Sequence, residues 1–402
     1  MQIINISHFI KTHITKRENS LFANDIEGHK NQLRSSIRGK SILVIGGAGT
    51  IGSSFIKAAL KYEPASLCVV DTNENGLTEL TRDLRSDAEQ YVPDDYKTYP
   101  MNFGDEVFTK MFINEGPFDI VANFAAHKHV RSEKDHYSIE AMLDNNVFKA
   151  KQFLDLLIQY PPAHFFCVST DKAANPVNVM GASKKLMEET IMAYSDLLKI
   201  TTARFANVAF SNGSLLDGYI QRIFKHQPIS CPADVKRFFV SPEESGQICL
   251  LACILGNSGD IFFPKLDEGM MVNFKDITLD FFSEMGMPVH QCSSEDEAKN
   301  YFKNEIQNGY PTYFFDSDTS GEKLYEEFFT EKDVVDMATY EGMGVIKNAV
   351  KLNITHIEKV ISSLRQLMNN ASYDKQDIVD LMKQYIPDFD HIETGKSLDQ
   401  KM

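Results

Sequence analysis

The 402-residue chain has no surplus of basic residues: 41 Lys and Arg stand against 56 Asp and Glu, a net charge of −15. A protein that grips a phosphate backbone normally shows a basic face, so a nucleic-acid partner is excluded, while a local basic pocket for a phosphorylated small molecule is not. Cysteine pairing is also missing. Six Cys (Cys68, Cys167, Cys231, Cys249, Cys253, Cys292) are scattered with no C-x-x-C, which excludes a disulfide framework and reads as buried free thiols in a reducing compartment. Long apolar runs are absent. The longest, Ile248–Leu255, is far too short to span a bilayer, and Lys11 and Lys16 precede no apolar signal core, so a cytoplasmic protein without membrane insertion is expected. Internal repeats and low-complexity segments are lacking too. What remains is ordinary globular material, 43% apolar and 24% charged, long enough for one large domain with appendages.

Residues 1–38 read as a polar helical arm, with Ile6, Phe9, Ile10, Leu21, Phe22 and Ile26 loosely spaced. Short β-rich runs (Ile42–Ile45, Leu67–Val70, Ile120–Asn123, Phe165–Ser169, Thr202–Phe205) then alternate with helical stretches such as Ser53–Tyr62, Ser138–Tyr160 and Ser183–Leu198. This alternation predicts a Rossmann-like, doubly wound parallel sheet over 39–207. Shorter elements over 208–340 suggest a smaller substrate-binding region, with isolated strands such as Ile261–Phe263 and Tyr313–Phe315. Apolar residues from Ile357 to Ile386 recur at helical spacing and predict a helical extension within 341–402.

Gly46-Gly47-Ala48-Gly49-Thr50-Ile51-Gly52 directly follows the first strand and opens a helix. Glycines at 46, 49 and 52 permit a tight turn, a close approach of backbone N–H groups to a pyrophosphate, and contact of helix with strand. Asp71 ends the second strand, where its carboxylate can accept the adenosine ribose hydroxyls. Thr72 and Asn73 follow it rather than Arg, which favours NAD over NADP. Asn102 and Phe103 are placed to flank adenine, Phe103 equally to join the core. Ala125 and Ala126 leave room for a cofactor across the strand ends, and Lys128 lies near the nicotinamide or substrate. His127 and His129 have no evident third ligand, so no metal is expected.

Ser169-Thr170-Asp171-Lys172 emerges where an apolar strand runs out into a loop, the position at which open α/β sheets bind ligands. Met180-Gly181-Ala182-Ser183-Lys184 follows. A Lys four residues after a Tyr is the active-site pair of short-chain dehydrogenases/reductases, but here Met180 holds the Tyr place.

With these motifs assembled, the chain resembles the extended short-chain dehydrogenases/reductases, and within them the capsule-type (CapD-like) UDP-N-acetylglucosamine 4,6-dehydratases. The likeness covers roughly residues 40–330 and rests on Gly46–Gly52, Ala125–Val130, Ser169–Pro176, Asn178–Lys184, Arg204–Val208, Arg237–Phe239 and Gly321–Glu326. The resemblance includes a branch with Met in the Tyr position, and to a form without upstream membrane helices. Thr319-Ser320 replaces a common Arg-Pro, and Ala206 a common Gly; both bear on nucleotide identity.

The resemblance implies an NAD-dependent enzyme making a 4-keto-6-deoxy sugar nucleotide for surface polysaccharide, and a homo-oligomer. It assigns Asp171 as acid toward the C6 oxygen, Lys172 as C5 base, Thr170 as partner of the C4 oxygen, and Lys184 as holder of the nicotinamide ribose. Lys172 can serve as base only when neutral; desolvation and the positive nicotinamide favour that form. Asn207, Arg237 and Glu322 are implied as substrate contacts with Lys128. Two alternatives stay open: a nucleotide-sugar epimerase, inverting C5 or another centre, and a dinucleotide-binding regulator without catalysis.

Overall fold

The computed structural model describes residues 4–302, 309–317, 327–370 and 372–393; Thr319, Ser320 and Glu322 lie outside them. Seven parallel strands form the centre of the molecule. They are β1 (Ser41–Ile45), β2 (Ser66–Asp71), β3 (Asp95–Pro100), β4 (Ile120–Asn123), β5 (His164–Val168), β6 (Ile200–Ala203) and β7 (Asp260–Pro264). Two further strands, β8 (Val335–Asp336) and β9 (Met343–Ile346), extend the sheet antiparallel. The order is β8-β9-β7-β6-β5-β4-β1-β2-β3, so the chain reverses direction across the sheet between β1 and β4.

The central strands are buried over nearly their whole length, because helices cover both faces of a parallel sheet. That explains their continuous apolar runs. Strand β3 sits at the edge with an alternating, half-exposed pattern, so its charged sequence carries no comparable signal.

Helix α1 (Thr50–Leu60) follows β1, α2 (Val179–Ala193) follows β5, and α3 (Pro242–Leu255) precedes β7. Helix α3 opens with a capping box, Ser241 and Glu244, with Pro at its first turn. It is buried from Glu244 to Ile254, as an all-round apolar helix must be. It packs on α1 so closely that a Cβ at Gly246 would sit 2.3 Å from the Ser54 backbone.

The division of the chain at residue 207 is not the one the fold adopts. Strand β7 and helix α3, expected in the substrate-binding region, belong to the dinucleotide-type sheet. So does β9, expected in the C-terminal helical extension. The remainder of 208–317 builds a separate layer in which Val289–Cys292, Tyr310–Phe315 and Ile229–Pro232 pair in parallel. Helices Leu215–Phe224 and Phe274–Glu284 contribute to its core.

The N-terminal residues are a clasp rather than an arm. Phe9, Ile10 and Ile14 are buried in the small-layer core, and Phe22, Leu33 and Ile37 in that of the main sheet. Between them Arg17 pairs with buried Glu244 at 2.8 Å. The expected C-terminal pair exists as α4 (Ile354–Met368) and α5 (Lys375–Tyr385). It packs on helix His136–Leu143 and on α2. All six Cys are unpaired and buried, and no described helix is long and apolar enough to cross a membrane.

Candidate active site

The β1–β4 reversal opens a cleft of about 350 Å³ at the carboxyl ends of the strands. Of the residues expected at the cofactor, Gly46, Gly49, Thr50, Ile51, Gly52, Asp71, Asn102, Phe103, Ala125, Ala126 and Lys128 line it, and Lys184 does not. Two of the glycines are sterically required. Gly46 has φ +74°, and a Cβ there would lie 2.6 Å from Ala125 N; one at Gly52 would lie 2.3 Å from the Gly46 carbonyl oxygen. Asp71 Oδ2 accepts the Ala48 N–H at 3.0 Å and Oδ1 that of Asn73 at 2.9 Å. The carboxylate therefore braces the glycine turn and also lines the cleft. Phe103 takes both expected roles, lining the cleft and stacking edge-on in the core against Phe153. The residues present fit a dinucleotide: a backbone cradle that side chains would fill, ended by a carboxylate.

A second cavity, of about 570 Å³, adjoins the first, and Lys128 lines both. Lys172, Asn178, Asn207 and Arg237 line it as well, so the implied substrate contacts among the described residues share one space. Sequence reasoning missed Arg131, Arg222 and Lys225 on its wall. With Lys128, Lys172 and Arg237 they make, among the described residues, six cations against one carboxylate, Asp217, in a chain whose net charge is −15. Burial pushes the Lys128 pKa down, only partly countered by Asp217. Burial and then the neighbours Lys128, Arg131 and His127 lower that of His129. Such a field favours an anionic ligand.

The polar loop after β5 starts with Thr170, whose backbone leaves the strand extended and caps a short turn at Asp171–Ala173. Asp171 is almost fully covered. Its Oδ1 accepts the Thr170 hydroxyl at 2.8 Å, the Lys172 N–H at 2.9 Å and the Lys172 ammonium at 3.1 Å. Lys172 reaches from this carboxylate into the second cavity. Among the described residues all three bonds fall on Oδ1, and the Asp171 side chain itself lines neither cavity.

Met180 and Lys184 project from the first turns of α2, which Asn178 caps by accepting the Gly181 N–H at 2.7 Å. Met180 is buried. Lys184 does not point into the cleft: its buried ammonium donates to the Val168 carbonyl at 2.9 Å. Burial lowers its pKa to about 8, with Cys167 and Glu188 opposing. Below pH 8 the folded state therefore carries a charge it solvates worse than the unfolded chain does. Lys184→Met should accordingly raise stability by roughly 1–2 kcal/mol at pH 7. The gain should shrink as pH rises from about 8 toward the ordinary lysine value near 10.4, which thermal melts across that range would show.

Two supporting residues escaped sequence reasoning. Asn146 sits in a π-helical turn, Asp144–Phe148. It accepts the His127 N–H at 2.8 Å and donates to the His127 carbonyl at 2.9 Å and Ser183 at 3.1 Å, tying the loop after β4 to α2. The signal available was an Asn pair inside a helix, where Asn is a poor former. Glu188, one turn after Lys184, forms a buried ion pair with Arg204 (Nε–Oε2 2.9 Å) and accepts the Ser169 hydroxyl at 2.8 Å.

Residues 42–348 match the model of a family described as polysaccharide biosynthesis protein. The chain belongs to that family. It is 31% identical over 82% of its length to a Methanocaldococcus jannaschii protein described as an uncharacterized membrane protein, covering 97% of that relative. It is 25% identical to the capsular polysaccharide biosynthesis protein CapD of Staphylococcus aureus over 84% of its own length, and spans about half of that relative, 52%. A UDP-N-acetylglucosamine 4,6-dehydratase (inverting) of Campylobacter jejuni matches at 25% identity over 58% of this chain and 70% of the enzyme. Among solved structures, DesIV, a dTDP-glucose 4,6-dehydratase of Streptomyces venezuelae with NAD bound, superposes with a TM-score of 0.55. That match, at 16% identity over 73% of this chain and 89% of the other, is a likeness of fold.

Proposed function

We propose that this protein is an NAD-dependent nucleotide-sugar 4,6-dehydratase acting on a UDP-N-acetylhexosamine. The observation that carries the reading is the Asp171–Lys172 pair: an acid and a base joined at 3.1 Å, with Lys172 in a cation-lined cavity that shares Lys128 with the dinucleotide cleft. The named dehydratase relative and the polysaccharide family support the substrate class. The cleft residues Gly46–Gly52 and Asp71 would hold NAD, Asp71 at the adenosine ribose. When bound, NAD⁺ supplies the acceptor and later the donor of hydride at the sugar.

The chain's own groups handle the protons. Met180 has no proton to accept or give, so the C4 hydroxyl proton needs another route. Thr170 offers one: its hydroxyl takes that proton while passing its own to Asp171 Oδ1 at 2.8 Å. A ketone at C4 acidifies the C5 hydrogen, which Lys172 removes in the fraction of the enzyme that begins the cycle with its amine unprotonated. Asp171, now protonated, gives its proton to the C6 oxygen, which leaves as water. After hydride returns to C6, Lys172 returns its proton to C5. Sugar loses one water, and both side chains end as they began. Arg237 and Asn207, with Arg131, Arg222 and Lys225 in the same wall, would meet the diphosphate side of the substrate.

Incubating the protein with NAD⁺ and UDP-N-acetylglucosamine in D₂O, followed by NMR, tests this. The expected product is a 4-keto-6-deoxy sugar carrying deuterium at C5. A sugar that keeps its C6 hydroxyl but has an inverted ring carbon would replace the dehydratase with an epimerase. An unchanged sugar, across several nucleotide sugars, would leave only a dinucleotide binder.

A further inference from the structure

The chain beyond α5 turns back onto the loop that carries the acid/base pair. Ile386 and Phe389 are buried against Val179 and Ala182 of α2. Past them the backbone runs beside the segment entering α2: the Asp390 N–H donates to the Pro176 carbonyl at 3.1 Å and the Ile392 N–H to the Val177 carbonyl at 3.0 Å. Side chains close the contact. His391 Nε2 meets Glu133 Oε1 at 2.5 Å, and Glu133 Oε2 accepts the Val179 N–H, the first of α2, at 2.6 Å. Glu133, His391 and Glu393 converge as metal ligands would. The cation there is Lys375, 3.4 Å from Glu133 Oε1 and 2.6 Å from Glu393.

This network touches a segment with little freedom. Residues 172–178 connect Lys172 to Asn178, and both line the larger cavity. A Cβ at Gly181 would lie 2.8 Å from the Lys172 carbonyl, so the first turn of α2 already abuts the backbone of the base. A shift at Pro176–Val179 must therefore move Lys172. We propose that residues 386–393 form a strap that positions the acid/base loop, with His391 and Glu133 as positioning residues acting through Val179 and the Pro176–Val177 backbone. An apolar helix pair needs only α4 and α5 to cover its face; the polar, backbone-paired strap beyond them serves the loop.

The test uses the full chain with His391→Ala, His391→Gln, whose amide can still donate to Glu133, and Lys332→Ala as control. Lys332 pairs with Asp388 on the exposed side of the strap at 2.8 Å. In His391→Ala, amide hydrogen exchange should rise in residues 172–181 and stay unchanged in 41–60, with NAD⁺ affinity held within about twofold. Turnover should fall about tenfold with KM within about twofold, since small misplacements of a reacting group are costly while remote binding is not. Gln should restore most of both, and Lys332→Ala should match the wild type. Exchange that rises evenly along the chain, falls in step with NAD⁺ affinity, or stays flat at 172–181 overturns the strap. If His391→Ala does not fold, Lys375→Met carries the same exchange measurement. Only the kinetic arm rests on the dehydratase reading; a wild type that makes no keto sugar would refute that reading and leave the exchange result to decide the strap.

Discussion

Asp171→Asn should lower turnover about 10³-fold, the scale of a lost general acid, with NAD⁺ affinity unchanged. The amide keeps the shape of the carboxylate and can still accept the Thr170 hydroxyl, so the loop has no reason to collapse. It can neither take the C4 proton through Thr170 nor deliver it to the C6 oxygen. Lys172→Met should cost a similar factor and, in addition, abolish deuterium incorporation at C5, because no amine remains to remove that hydrogen. The two groups act on one substrate in one elimination, so the double variant should be scarcely worse than either single one. Steady-state rates and C5 exchange by NMR measure all three. A residual rate above a tenth of wild type in Asp171→Asn would end the relay through Thr170.

The parts of the site that were legible in the sequence are those where backbone geometry restricts residue type. Gly46 and Gly52 have no space for a side chain, so a strand, a spaced glycine run and a terminal Asp71 announce the cleft without coordinates. The central strands announce themselves because both of their faces are covered. Legibility fails where the deciding contact is long-range. Strand β9 reads as four weakly patterned residues, and only its pairing with β7 makes it part of the sheet. The first 38 residues look like a polar arm because their apolar residues are few, yet Phe22, Leu33 and Ile37 are among the best-buried side chains. Arg222 lies in the last turn of an amphipathic helix and Lys225 caps its end, where a cation is ordinarily a solvated surface group. Only the cavity beside it gives them a different meaning. Lys184 shows the opposite error: its spacing is right, but its ammonium is turned inward to Val168.

Glu188→Ala should destabilise the protein by about 3–5 kcal/mol, because it strands the Arg204 guanidinium in the interior without the carboxylate that pairs with it. Both side chains are nearly closed from solvent, at 3% and 2% exposure, so water cannot screen the loss. Arg204 also donates to the Phe328 carbonyl at 2.9 Å, a dipole that solvates its charge in part but does not replace the carboxylate. Burial pushes the Glu188 pKa up, but the charge and hydrogen bonds of Arg204, with Ser169, outweigh it and leave the carboxyl below its ordinary value. A depressed carboxylate stabilises the fold above the unfolded value of about 4.3 and loses that contribution as pH falls through the folded one. The paired variant Glu188→Met with Arg204→Met should therefore recover most of the stability and lose less of it below pH 4. Activity should not return with it: the Ser169 hydroxyl would have lost its acceptor, directly before Thr170. Denaturant melts at about pH 3 and pH 7, read beside turnover, separate the two effects. A double variant as active as the wild type would mean that the buried pair holds the fold alone and contributes nothing to the placement of Thr170 and Asp171.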